Sequence, residues 1–171
     1  MSINESLATL PIFNGMSKTE VDAALAAGHH VEVSSGEHVI TQGKMVRNLW
    51  FILKGQCQVT RRTDNGCQLT LATLGPMTQF GEMSFFHAAP HSADIVALTD
   101  MELVRLARED YDALLEAGNP IALKIATNSL EQLAQRLRKT DQWITNLVCE
   151  EDNKPSASEW TTFREIIFRG Q

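Results

Sequence analysis

Apolar and polar positions follow three rhythms along the chain. Near the front, Val21, Ala24 and Leu25 recur at helical spacing behind Ser17-Lys18-Thr19-Glu20, a capping-box spacing, and Gly28 ends that element. From about His30 to Leu106 the rhythm shortens. Short runs rich in Val, Ile, Leu and Thr alternate with turn signals at Ser35-Gly36, Gln42-Gly43, Lys54-Gly55, Asp64-Asn65-Gly66 and Gly75-Pro76. Strands are predicted in HHVEV (29–33), HVIT (38–41), LWFIL (49–53), CQVTRR (57–62), QLTLATL (68–74), ADIVAL (93–98) and ELVRLA (102–107). Asp64-Asn65-Gly66 between two of these runs is the strongest hairpin signal. Strands at such short, regular spacing point to a sandwich, jelly roll or barrel.

After Leu106 the helical period returns. REDYDALLEAGNP (108–120) reads as a helix that stops at Gly118-Asn119-Pro120, and a long helix follows from about Ile121 to Leu147. Along it Leu123, Ala126, Leu130, Leu133, Leu137, Thr140, Ile144 and Leu147 are separated by alternating steps of three and four. That is a heptad seam with one polar member, Thr140. Such a stripe can pack on the chain's own sheet, but its length favours the seam of a two-helix homodimer, with Thr140 as a register device. Residues from Glu150 to Ser158 are acidic and polar and read as a linker. Beyond them Trp160, Phe163, Ile166 and Ile167 share one side of a short helix, which either docks back on the protein or recruits a protein partner. The expected division is a domain over 1–147 and a linker with an amphipathic tail over 148–171.

Composition narrows the function classes. At 171 residues, 43% of them hydrophobic and 21% charged, the chain can bury a core without metal or disulfide staples. Its net charge of −6 argues against non-specific nucleic-acid binding. The three cysteines, Cys57, Cys67 and Cys149, lack ligand spacing and read as buried small hydrophobes or inert thiols in a reducing compartment. Neither a membrane-spanning run nor a signal peptide is evident, so the expected location is the cytoplasm. No GxSxG, HExxH or glycine-rich phosphate loop is present, and the expectation is a non-catalytic protein that needs no cofactor or metal.

One stretch carries candidate chemistry: FGEMSFFHAAPHSAD, Phe80 to Asp94. Gly81 permits close backbone approach, Glu82 is a carboxylate in an apolar string that must find donors, and Ser92 offers a hydroxyl. Together they look like a cradle for a small anionic ligand. With SGEHVITQG (35–43), LWFILKGQCQV (49–59), LGPMTQFGEMSFF (74–86) and PHSADIVAL (90–98), taken in order, the chain resembles the cyclic nucleotide-binding domain of catabolite-activator/fumarate-nitrate regulators, cyclic-nucleotide-dependent kinases and gated channels. The resemblance covers about residues 7 to 147. It implies an α+β, mainly β fold: a double-stranded β-helix jelly roll with short N-terminal helices and a long C-terminal dimerisation helix. It also implies a signalling module whose ligand is cAMP or cGMP.

The resemblance further implies that Phe80, Gly81, Glu82, Met83, His91, Ser92 and Ala93 line the ligand site, Glu82 holding the ribose 2′-hydroxyl. Where the family carries an arginine that grips the phosphate, this chain has His91. Three readings follow: a pocket that no longer binds a cyclic nucleotide, a weakened or pH-dependent site, or a different ligand. An arginine is always charged and bonds bidentately, whereas a neutral imidazole offers one donor. On the long helix, the family's base-contacting pair would be Thr140 and Asp141, the threonine matching and the aspartate departing. The alternative function is a ligand-free protein–protein interaction module that kept the fold. In the regulators a helix-turn-helix domain follows the long helix; the residues after Leu147 are too few for one, so DNA binding is not expected.

Overall fold

The computed structural model describes residues 7–150, with side chains to residue 146. After a 3-10 turn at Pro11–Phe13 comes α1, Lys18–Ala26. Its capping box is formed on both sides: Ser17 Oγ accepts from the Glu20 amide, and the Glu20 carboxylate accepts from the Ser17 amide. Eight strands follow: β1 His29–Val33, β2 His38–Ile40, β3 Asn48–Lys54, β4 Cys57–Arg62, β5 Gln68–Leu74, β6 Gln79–Phe80, β7 Asp94–Ala97 and β8 Met101–Ala107. Between β6 and β7 lies α2, Glu82–Phe86; α3, Arg108–Glu116, and α4, Pro120–Glu150, close the described chain.

The strands pair antiparallel in two four-stranded sheets, ordered β1-β8-β3-β6 and β2-β7-β4-β5. This is the predicted jelly roll, with all seven expected strands in place. The helical share is larger than "mainly β" expects, because α4 alone runs for 31 residues. The β4–β5 hairpin turns at Thr63–Gly66, where the Gly66 amide bonds the Thr63 carbonyl at 2.9 Å and Gly66 has φ +83°.

Two apolar clusters hold the roll together. Ile40, Trp50, Ile52, Cys57, Phe80, Ile95 and Leu103 fill the space between the sheets. Phe13, Val21, Leu49, Phe51, Phe85, Tyr111, Ile121 and Ile125 join the helices to the outer side of β3 and β8. The alternating direction of side chains along β3, buried on both faces, explains both: Leu49 and Phe51 face one cluster, Trp50 and Ile52 the other. Cys57 fills a core position as expected, and burial raises its thiol pKa to about 11. Cys67 is an exposed free thiol at the end of the hairpin turn, where its carbonyl accepts from the Thr63 amide, so of the two expected roles it does not take the buried one. Cys149 lies outside the residues whose side chains are described.

The chain forms two compact units, divided inside α4 between Ser129 and Leu130. In the first unit, Ile121, Ala122, Ile125 and Ser129 form a buried face of α4, a stripe distinct from the predicted seam. Tyr111 donates to the Ala122 carbonyl at 3.0 Å and Lys124 pairs with Glu20 at 2.7 Å, which fixes the start of α4 on α3 and α1. The helix begins at a proline, and the Asn119 carboxamide oxygen accepts from the Ile121 amide at 3.0 Å. Among the described residues, no helix is long and apolar enough to cross a membrane.

Candidate functional site

Phe80 ends β6, the edge strand beside β3, and its ring stacks on Trp50 with centroids 6.1 Å apart. Gly81 follows at φ +92°, and a Cβ there would stand 2.4 Å from the Asn48 carbonyl oxygen. Only glycine fits both the left-handed backbone and that approach. The turn aims the chain into α2, a short helix that the sequence pattern did not reveal. Its first residue is Glu82, a carboxylate only 5% exposed.

At the other end of α2, the Phe85 carbonyl accepts from Arg47 at 2.9 Å and from Arg108 at 3.3 Å. The Phe85 ring is fully buried against Phe86 and Tyr111. Two guanidinium groups and a core aromatic therefore clamp this helix. Neither arginine is singled out by sequence spacing, since their common partner is a main-chain oxygen distant from both along the chain. Met83, one of the predicted ligand residues, points out and is 56% exposed.

His91 is buried and held from several sides. Its Nδ1 lies 3.0 Å from Ser84 Oγ, and the imidazole also hydrogen-bonds the Val46 backbone. Its own amide donates to the Lys44 carbonyl at 2.9 Å, and its carbonyl accepts from the Gly43 amide at 2.9 Å. Burial pushes the imidazole pKa below its ordinary 6.5, with the Val46 bond offsetting part of that shift. His91 thus ties the loop before β3 to α2. It lines a cleft of about 130 Å³ together with Val39, Ile40, Thr41, Lys44, Val46, Asn48 and Trp50. Glu82, Met83 and Ser92 do not line this cleft. Ser92 is exposed and Ala93 half-buried at the entry to β7.

Just beyond them, Asp94 is 4% exposed and accepts from the Gln42 amide at 2.8 Å. His38 and Arg62 also approach its carboxylate, at 3.6 and 3.5 Å. The Gln42 carboxamide bonds both the amide and the carbonyl of Arg62, so the Gln-Gly turn is stapled to β4 and β7. Thr140 and Asp141 belong to the second unit. There Thr140 Oγ1 donates to the Arg136 carbonyl at 3.0 Å.

A family profile described as the cyclic nucleotide-binding domain matches residues 30–117, a little over half of the chain. The cyclic AMP receptor protein of Thermus thermophilus is 37% identical over 141 residues, which span 82% of this chain and 63% of that protein. The crystal structure of the Thermus thermophilus catabolite activator protein superposes with a TM-score of 0.73 at 36% identity, covering 80% of this chain and 62% of that one. A cyclic nucleotide-binding domain from Methylobacillus flagellatus superposes with a TM-score of 0.74 at 25% identity, covering 88% of this chain and 84% of that one. The chain spans about 63% of the length of the curated relatives it matches over most of its own length.

Proposed function

The chain belongs to the cyclic nucleotide-binding domain family, and from that premise we propose that it is a non-catalytic regulatory module that binds cAMP or cGMP between Phe80 and Ala93. The observation that carries the reading is Glu82: a buried carboxylate on the first turn of a clamped helix, entered through a glycine that nothing else can replace. A carboxylate so placed is a positioned acceptor for a ribose hydroxyl. Ser92, exposed at the start of β7, supplies a hydroxyl to the phosphate side. His91 stands where the family's phosphate-gripping arginine would be, so binding is weak or modified. The cyclic AMP receptor protein of Thermus thermophilus, similar over most of this chain, makes cAMP the first ligand to try.

Signal output is assigned to α4. Leu123, Leu130 and Leu137, seven residues apart, are 66%, 68% and 56% exposed, while Ala126, Leu133 and Ile144 are half-buried. An apolar row left open at that spacing fits a second copy of the same helix, a homodimer. Leu147 continues the row but lies outside the residues whose side chains are described. The division at 147/148 and the partner-binding tail are part of the same proposal; residues 151–171 lie outside the described ones. The site of action is the cytoplasm.

A second reading has its own support. Because the His91 imidazole is already hydrogen-bonded to Ser84 and to the Val46 backbone, the phosphate half of the cradle is compatible with a ligand-free interaction module. Calorimetric titration of cAMP and cGMP at pH 6 and pH 8 separates the two. Saturable heat supports the regulatory reading. Silence at millimolar nucleotide at both pH values sinks it and leaves the interaction module.

A further inference from the structure

Most basic side chains around the cradle are already committed; Lys44 lines the cleft beside His91, and Arg61 is the uncommitted one on the β4–β5 hairpin. Arg47 and Arg108 converge on the Phe85 carbonyl. Arg62 faces Asp94, with its backbone gripped by Gln42. His91 is buried between Ser84 and Val46. Arg61 is exposed and takes no side-chain partner among the described residues.

Its direction follows from strand geometry. Cys57 is part of the cluster between the sheets and Val59 packs against it, so alternation puts Arg61 on that same inner face. Against β7 the register runs unbroken from Cys57↔Ala97 to Thr60↔Asp94. One further step sets Arg61 opposite Ala93, adjacent to Ser92. Against β5 it pairs directly with Leu69, and the extra residue of the β4–β5 bulge is Leu71. Both leucines are about half exposed, at 52% and 51%. This end of β4 thus presents an exposed guanidinium beside Leu69, with Leu71 in the adjoining bulge and Ala93, next in the chain to Ser92, across the sheet.

We propose that Arg61 on β4, rather than His91, supplies the positive charge that meets the phosphate of the bound cyclic nucleotide. This rests on the cyclic nucleotide reading given above. The guanidinium fork suits a phosphate bidentately, and reaching it costs no interaction inside the protein. A role for His91 would instead require breaking the Ser84 and Val46 contacts and protonating a buried imidazole. The β4–β5 hairpin would then fold its leucines over the nucleotide as Arg61 engages.

The test is calorimetry of the full chain with cAMP and with cGMP, comparing wild type, Arg61→Ala, Arg61→Lys and His91→Gln. Loss of a charge-assisted contact predicts about ten- to a hundredfold weaker binding for Arg61→Ala. Arg61→Lys should recover part of that loss, and His91→Gln should change affinity less than Arg61→Ala. Thermal melts check folding, which an exposed substitution leaves intact. If wild type binds and Arg61→Ala binds equally well, the proposal is overturned while the cyclic nucleotide reading stands. If wild type binds neither nucleotide, both fall.

Discussion

The shell from Phe80 to His91 and the β4–β5 hairpin face the same mouth of the roll but are built in opposite ways. In the shell, Phe80, Glu82, Ser84, Phe85 and His91 are all buried, and Phe85 and His91 are pinned by several hydrogen bonds. In the hairpin, no residue of β5 is fully buried, and Arg61 and Arg62 at the end of β4 are exposed. In the proposed reading, one region sets the shape of the site and the other has side chains free to close on a ligand. Preorganised groups lower the cost of binding, while free ones pay an ordering cost that only a ligand can repay.

Substitutions should separate the two regions by size of effect. Phe85→Ala empties a fully buried ring position and is expected to cost about 3–5 kcal/mol in urea denaturation. Gly81→Ala forces a left-handed backbone on an L residue and drives its Cβ against Asn48, a loss on the order of 3 kcal/mol by the same assay. In the hairpin, Leu69→Ser should stay within about 0.5 kcal/mol. A Leu69→Ser loss as large as that of Phe85→Ala would erase the contrast.

Acid provides a subtler probe of the same contrast. Because burial lowers the His91 pKa, the unfolded chain takes up a proton at higher pH than the folded one. Stability from this group is therefore complete above pH 6.5 and falls as pH drops below it. Melting curves from pH 8 to pH 5 should show that decline, and His91→Gln should flatten it. An unchanged slope in the variant would mean that another group carries the acid sensitivity.

Much of the fold was legible because burial rhythm and turn chemistry are local. Ser17-Glu20, Asp64-Asn65-Gly66 and Gly118-Asn119-Pro120 each marked an element boundary that the structure bears out. β6 escaped because two residues cannot display a period, and α2 because MSFFH reads as an apolar run. The leucine row on α4 was visible as a heptad pattern, whereas the buried face Ile121, Ala122, Ile125 and Ser129 was missed, since that pattern masks a second face along the first turns. At the site, the presence of Gly81 and Glu82 could be read, but not that His91 is locked inside the protein. Its partners, Ser84 and the Val46 backbone, come together only through the fold. Arg61 gave no signal at all, because an unpaired exposed arginine looks ordinary until its strand, register and neighbours are known.

The central claim is that a cyclic nucleotide closes these two regions on each other. Amide hydrogen exchange of the full chain, with and without saturating cAMP or cGMP, tests it most directly. The account predicts added protection over Glu82–Phe86, Ser92–Asp94 and both strands of the β4–β5 hairpin, with the hairpin gaining most. Exchange that is identical with and without either nucleotide, or protection confined to residues away from these segments, would contradict it.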